Sequence, residues 1–551
     1  MTKVMLPLMA HTTASSTPSQ SALSLPSFPD TFNMADYFLD QRLHEGQGTR
    51  TAIIDDQGSY TYAELHQMAE HLAGALWDEG LRVEDRVLIG LFDCVEFAAS
   101  FFGILKAGAV VTMCNPELPA PDYSHYLRYT RCRALIADAS LLARIPDELA
   151  DCDCLRLIIV VGAAQGPLPT LPGVQVLTWE QAMTAPRRDS YKTSKDDPAV
   201  WLFTSGSTGK PKAAVHFHHD FPFNTECYAK QVLRLTAADI TLAVPKLYFG
   251  YATGTNLMFP LAVGATAVLF RERPAPEVLF DRIQRHGVTV LCSVPTSISR
   301  MLEYNPAAEL QPLRLVTSAG EALPKELYQR FIAAYGVEIL DGIGSAELFH
   351  IYISNRPGEV RLGSLGKLVP GYQARIVRAD GTEAAPGEIG TLWVQGDSAA
   401  LCYWQAHELS KQTLRGDWVV SGDLFHCDSD GYFYYDGRAD DLLKVGGIFV
   451  SPLEVEDVLL RHPAVREVAL VGEENEQGLV RGLAFVVIRH GHAATPTLAA
   501  ALIEHVRGLL AHYKAPSRIE FVAELPRSDR GKVLRRVLRQ SDASHKPQSH
   551  R

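Results

Sequence analysis

Short apolar runs alternate with helical patterns along most of this chain. Residues 87–91 (VLIGL) read as a strand, 97–107 as a helix and 109–113 (AVVTM) as another strand. The order repeats at 266–270, 276–286 and 288–291. Residues 61–82 add a helix with Leu65, Met68, Leu72 and Leu76 on one face. Recurring strand–helix–strand units imply parallel sheets covered by helices, so the expected class is α/β.

The pattern changes near residue 436. An aromatic strand at 431–435 runs into a charged turn at 436–441. A smaller α/β unit follows, with helix candidates at 452–462 and 497–511 and strand candidates at 465–471 and 482–488. The expected division is a large N-terminal domain over 29–439 and a C-terminal domain over 440–540. Residues 1–28 are rich in Ser, Thr, Pro and Ala and read as a disordered tail; 541–551 form a polar one. The apolar stretch from Val4 to Ala10 is too weak for a secretory signal.

Chemistry concentrates at Thr204, Ser205, Gly206, Ser207, Thr208, Gly209 and Lys210, directly after the apolar run 199–203. Glycines let backbone N–H groups approach an anion, hydroxyls add donors, and Lys210 and Lys212 supply charge. A nucleotide phosphate chain suits this loop; a flexible Ser/Gly linker is the competing reading. It is not a Walker A loop, because Pro211 follows Lys210 where that motif needs Ser or Thr. Proline there also disfavours a helix leaving the loop.

Composition narrows the partners. A net charge of −11 without long basic runs argues against nucleic acid. No stretch of about 18 apolar residues offers a membrane span. The nine cysteines are scattered. Cys152 and Cys154, the closest pair, lack zinc spacing, so reduced thiols in a cytoplasmic protein are expected.

Further clusters are modest singly. Asp341, Gly342, Ile343 and Gly344 lead to Glu347, which is either a partial Mg²⁺ ligand or an acid at a helix start. Asp423, at the expected end of a strand, either accepts ribose hydroxyls or closes a turn. Arg438, Asp440, Lys444, Gly446 and Gly447 crowd the domain junction, and Lys532 follows a glycine near the C-terminus.

In this order the motifs resemble the acyl-adenylate-forming superfamily, over about residues 35–540. Residues 246–260 (KLYFGYATGTNLMFP) and 348–358 (LFHIYISNRPG) are similar to its benzoate–CoA ligase branch. The resemblance implies stacked α/β subdomains in the large domain and a mobile small one. It also implies ATP, Mg²⁺, coenzyme A and a small aromatic acid as reactants, in a monomer or homodimer. Residues 204–210 would embrace the β- and γ-phosphates, and Glu347 would bind Mg²⁺. Ser318, Ala319, Gly320 and Glu321 would line the adenine and acyl site, with Asp341 and Gly342 beside the nucleotide. Asp423 and Arg438 would hold the ribose. Lys532 would bridge the carboxylate and α-phosphate, Asp440 would be the hinge, and Lys444, Gly446 and Gly447 would serve nucleotide and pantetheine. Phe249, Tyr251, Ala319, Ile343, Gly344 and His350 would line the aryl pocket, with His350 either donating to an ortho substituent or satisfied by backbone. One departure stands out: Ala346 occupies a position that is usually Thr in the family. The rival readings are an adenylation enzyme that loads a carrier protein and a non-catalytic nucleotide binder.

Overall fold

The structure is a computed structural model that describes residues 25–163, 166, 169–205, 211–305, 307–438, 443–445, 448–474, 480–527 and 533–543. Gly206–Lys210, Asp440, Gly446, Gly447 and Lys532 therefore lie outside the described residues. The expected alternation appears as two large sheets. One has eight strands, in the order Cys402–Tyr403, Pro211–Phe217, Pro198–Ser205, Val110–Met113, Arg86–Gly90, Ala134–Asp138, Leu157–Val161 and Gln175–Thr178. The other has nine and is centred on Ile240–Ala243, Val290–Ser293, Leu315–Ser318 and Ile339–Gly344.

The inner strands pair in parallel, and antiparallel pairs occur at the edges. Every residue of Val110–Met113, Ala134–Asp138 and Leu157–Val161 is buried. Strands covered on both faces must be apolar throughout, which is why these runs lack alternation. The helix Tyr62–Asp78 begins where Thr61 and Glu64 form a capping box, and it packs its Leu65, Leu72 and Leu76 into the largest core. Prolines open Pro276–His286 and Pro295–Tyr304, where a missing N–H costs nothing.

A third sheet joins Gln373–Val377, Gly390–Gln395, Trp418–Cys427 and Phe433–Arg438. The aromatic strand expected at 431–435 starts later, because Gly431 takes a positive φ of 82° in the preceding turn. Asp423 sits inside the ten-residue strand Trp418–Cys427 rather than at its end. The extra length pairs Asp423 with Arg438 across the ladder.

The C-terminal sheet is Val465–Glu474, Val480–Ile488 and Arg518–Phe521. Helices Pro452–Leu460 and Pro496–Leu509 bury Val455, Leu459, Leu502 and Val506 in its core. Arg535 locks this unit internally, donating from Nη2 to the buried Glu456 carboxylate at 3.0 Å and from Nη1 to the Leu470 carbonyl at 2.8 Å. Phe28, at the end of the expected tail, places its ring 5.1 Å from that of Phe32 and packs on the main core.

Candidate active site

Several of the predicted residues that the structure describes lie on or just after strands. Pro198–Ser205 turns back through an antiparallel pair, Thr204 with Lys212 and Ser205 with Pro211. After residues 206–210 the chain continues as the strand Pro211–Phe217, and the helix that Pro211 disfavours does not form. Ser318, the last residue of its strand, pairs with Asp341, midway along the neighbouring parallel strand Ile339–Gly344. Ligands of open α/β sheets gather at the carboxyl ends of their strands. Ala319 is buried just beyond, and Gly320 takes a φ of 87° that favours glycine. The Glu321 carboxylate accepts from the Thr296 hydroxyl at 2.8 Å and from Arg527 at 3.4 Å. That second contact ties the chain shortly before Lys532 to the strand-end loop.

Asp341 is fully enclosed, and lost hydration pushes its carboxyl up to about 8. Its Oδ1 has no hydrogen-bond partner among the described residues. Between the usual value of 3.8 and about 8 the folded chain keeps a proton that the unfolded chain has released. The stability this group contributes is present at low pH and lost as pH rises through about 8, with a slope of at most about 1.4 kcal/mol per pH unit. Asp341→Asn should therefore flatten the fall in Tm between pH 6 and 8, read by calorimetry without nucleotide. An unchanged slope would contradict this assignment.

Glu347 lies in the 3₁₀ turn Ala346–Leu348. Its Oε1 accepts from the Tyr403 hydroxyl, and its carbonyl accepts from Ala400 N–H at 2.8 Å. Lys212 stands 3.7 Å above the Tyr403 ring, so the strand after the phosphate loop reaches the Glu347 carboxylate through one aromatic side chain. Among the described residues no group of three or more His, Cys, Asp or Glu side chains could hold a metal. A lone half-buried carboxylate fits Mg²⁺, which completes its shell with water and substrate phosphate oxygens. Tyr352 is buried beside both acids; burial raises its pKa, and the charges of Asp423 and Glu347 add to the effect.

Two of the residues expected at the aryl pocket, Tyr251 and His350, sit in an aromatic box with Tyr228 and Phe259, which were not expected there. His350 is buried, with ring centroids of Phe259, Tyr251 and Tyr228 at 4.7, 5.3 and 5.7 Å. The Tyr251 hydroxyl donates to Thr317 at 2.9 Å. Phe249 caps the turn Gly250–Thr253, and a Cβ on Gly250 would stand 3.2 Å from Leu202, one strand position from Phe203. Ile343 and Gly344 are half-buried where their strand meets Ile351–Ser354. A Cβ on Gly344 would come within 2.4 Å of the His350 carbonyl, and one on Gly254 within 2.3 Å of the His350 ring. Both sites need glycine because His350 fills the space a side chain would take.

Of the two readings of His350, Nε2 takes the one satisfied by backbone. That nitrogen donates to the Tyr251 carbonyl at 3.0 Å, and a carbonyl only accepts. Burial pushes His350 down to about 3, so the ring is neutral and Nδ1 carries a lone pair. Nδ1 has no partner among the described residues.

Phe349 carries a strained link. Its φ of 67° and ψ of −59°, with His350 N–H donating to the Leu348 carbonyl at 2.8 Å, make a γ-turn of the rare positive-φ form. Such a conformation costs about 1–3 kcal/mol for a bulky residue. Glu347 and His350 stand on either side of it. Tyr228, Tyr403, His216 and Asp220 escaped the motif reading. The cluster of His216, His218, His219 and Asp220 right after the phosphate loop was the available signal for the last two.

The AMP-binding enzyme family matches residues 40–404, and the AMP-binding enzyme C-terminal domain matches 454–532. The benzoate–CoA ligase of Thauera aromatica is 42% identical over 518 residues, 93% of this chain and 96% of that one. The crystal structures of a benzoate CoA ligase from Burkholderia xenovorans LB400 superpose with a TM-score of 0.84 at 39% identity, covering 92% of this chain and 100% of that one. The anthranilate CoA ligase AuaEII in complex with anthranoyl-AMP superposes with a TM-score of 0.88 at 36% identity, covering 94% and 98%. The chain belongs to the AMP-binding enzyme family. Within it, this is an AMP-forming acid–CoA ligase with a large N-terminal and a smaller C-terminal domain.

Proposed function

We infer that this ligase activates an aromatic carboxylic acid, benzoate or a substituted benzoate such as anthranilate, and passes the acyl group to coenzyme A. The observation that carries the ring is the box of Tyr228, Tyr251, Phe259 and His350, which the Tyr251 hydroxyl joins to Thr317, next to Ser318. Likeness to benzoate and anthranilate ligases along nearly the whole chain supports coenzyme A over a carrier protein as the acceptor.

The acid's carboxylate attacks the α-phosphorus of ATP, pyrophosphate leaves, and the thiolate of coenzyme A then displaces AMP from the acyl carbon. The obstacle in the first step is two anions meeting, so positive groups must offset charge on the phosphoryl oxygens. Thr204–Lys210 hold the β- and γ-phosphates in this reading, and Ser318, Gly320, Glu321, Asp341 and Gly342 border the nucleotide. Asp423 and Arg438, opposite each other in their ladder, take the ribose hydroxyls. Mg²⁺, when bound, supplies charge neutralisation at the phosphates, and Glu347 is the side chain that would hold it. Lys532 carries the ammonium between carboxylate and α-phosphate. Asp440 is the hinge at which residues 440–540 rotate between steps, presenting Lys444, Gly446 and Gly447 to the nucleotide and the pantetheine arm. The nine cysteines are free thiols, which supports a cytoplasmic location.

Pyrophosphate release and thioester formation with free coenzyme A, measured over benzoate, anthranilate, hydroxybenzoates and aliphatic acids, test the assignment. Aryl acids should lead in kcat/KM by at least about tenfold, since each small group in a pocket is worth roughly 1–3 kcal/mol. A preference for aliphatic acids, or adenylation without thioester, would refute it.

A further inference from the structure

The segment that follows the phosphate loop lies along the segment that carries Glu347. His216 Nε2 donates to the Ala346 carbonyl at 2.6 Å. Phe221 stacks on Phe349 with ring centroids 3.5 Å apart. Asn224 Nδ2 donates to the Ile351 carbonyl at 2.9 Å. Residues 216–224 thus hold residues 346–351 before, within and after the strained turn. The first contact adjoins Glu347.

His216 is itself fixed. It is fully buried, and its Nδ1 lies 2.7 Å from the Asp220 carboxylate, also fully buried. Asp220 Oδ2 accepts from Phe217 N–H at 3.1 Å, and Oδ1 lies 3.2 Å from His219 Nε2. Both imidazole nitrogens are engaged, so the ring has one orientation, with an N–H aimed at the carbonyl before Glu347. The side chain of Ala346 offers no hydroxyl, so this residue's polar contact runs through its backbone. Hydrogen-bonded partners outside a metal's own ligands fix how those ligands are oriented, and here the bond acts through the backbone that carries Glu347.

We propose that His216, oriented by Asp220, is a positioning residue for adenylation: it sets the Glu347 carboxylate at the height where magnesium-bound phosphates meet it, and couples that height to the phosphate-loop strand. This rests on Glu347 as the magnesium carboxylate. The coupling is specific to the first half-reaction, because thioester formation no longer involves the β- and γ-phosphates.

The test compares His216→Leu, His216→Gln, Asp220→Asn and Glu347→Gln in the full chain. The first readout is ATP affinity by calorimetry with and without Mg²⁺; the others are kcat for pyrophosphate release and for thioester formation from synthetic benzoyl-AMP. His216→Leu should shrink the Mg²⁺-dependent gain in ATP affinity roughly tenfold and slow adenylation by roughly 10- to 100-fold, with thioester formation within about threefold of the parent. His216→Gln, whose amide N–H can reach the same carbonyl, should recover most of both losses. An unaltered Mg²⁺ gain, an equal loss in both half-reactions, or no rescue by Gln would overturn the proposal. If the Leu variant does not fold, Asp220→Asn must show the same selective loss, and its absence counts against the proposal equally. Glu347→Gln separates the two layers: no change in Mg²⁺ dependence there refutes the magnesium assignment itself, whereas a change there without one in the His216 variants refutes only the positioning role.

Discussion

Lys532→Met is expected to slow aroyl-AMP formation by about 10²–10³-fold, or about 3–4 kcal/mol, the loss produced by deleting one transition-state donor. Methionine keeps the length and apolar stem of lysine and removes only the ammonium. The penalty should fall on kcat for pyrophosphate release with little change in KM for ATP, because the charge is needed where carboxylate and phosphate meet. Thioester formation from supplied benzoyl-AMP should stay within about threefold, since that step neutralises no second anion at the α-phosphorus. Single-turnover assays of each half-reaction decide the matter. Equal slowing of both would mean that Lys532 supports the fold or the C-terminal domain generally.

Glu347→Gln carries the second largest effect. The amide keeps the shape and the contact with the Tyr403 hydroxyl, whose acceptor becomes a neutral oxygen. What disappears is the negative charge that a hard cation seeks. Adenylation should fall roughly 10²-fold at fixed Mg²⁺ and recover in part as Mg²⁺ is raised, because the mutation weakens cation capture and leaves the phosphates' own ligation in place. A titration of pyrophosphate release against Mg²⁺ at saturating ATP reads this directly. A parallel drop with no shift in the Mg²⁺ midpoint would move Glu347 from metal binding to loop structure. The Tyr403 contact sharpens the expectation, because a hydroxyl donating to one carboxylate oxygen leaves the other to face the ion.

The α/β class was legible because strands buried on both faces have to be apolar runs and helices between them have to be amphipathic. Helix Pro276–His286 emerges at its predicted limits, with proline opening it and Gly287 at a φ of 64° closing it. Pro211 argued against a helix there, and the strand Pro211–Phe217 is what pairs back onto Pro198–Ser205. Asp423 was misplaced by the local signal: Ser421 and Gly422 look like a strand end, but pairing with Phe433–Arg438 carries the strand through them. The role of His350 turned on which of its nitrogens meets a carbonyl 99 residues away, a fact with no local signature.

By itself the sequence determined the chemistry on offer: the hydroxyl- and glycine-rich loop, the acids at Asp341, Glu347 and Asp423, the late Lys532, and the apolar periodicities that force parallel sheets. These are properties of side chains and of short-range backbone preference, so they survive without coordinates. Only the tertiary structure decided which groups meet. The Tyr403 hydroxyl on Glu347, the His216 ring on the Ala346 carbonyl 130 residues away, and the glycines that clear space for His350 are contacts across distant chain segments. Such contacts exist only once the sheets have brought their carboxyl ends together, because burial there gives each buried polar atom very few partners to choose from.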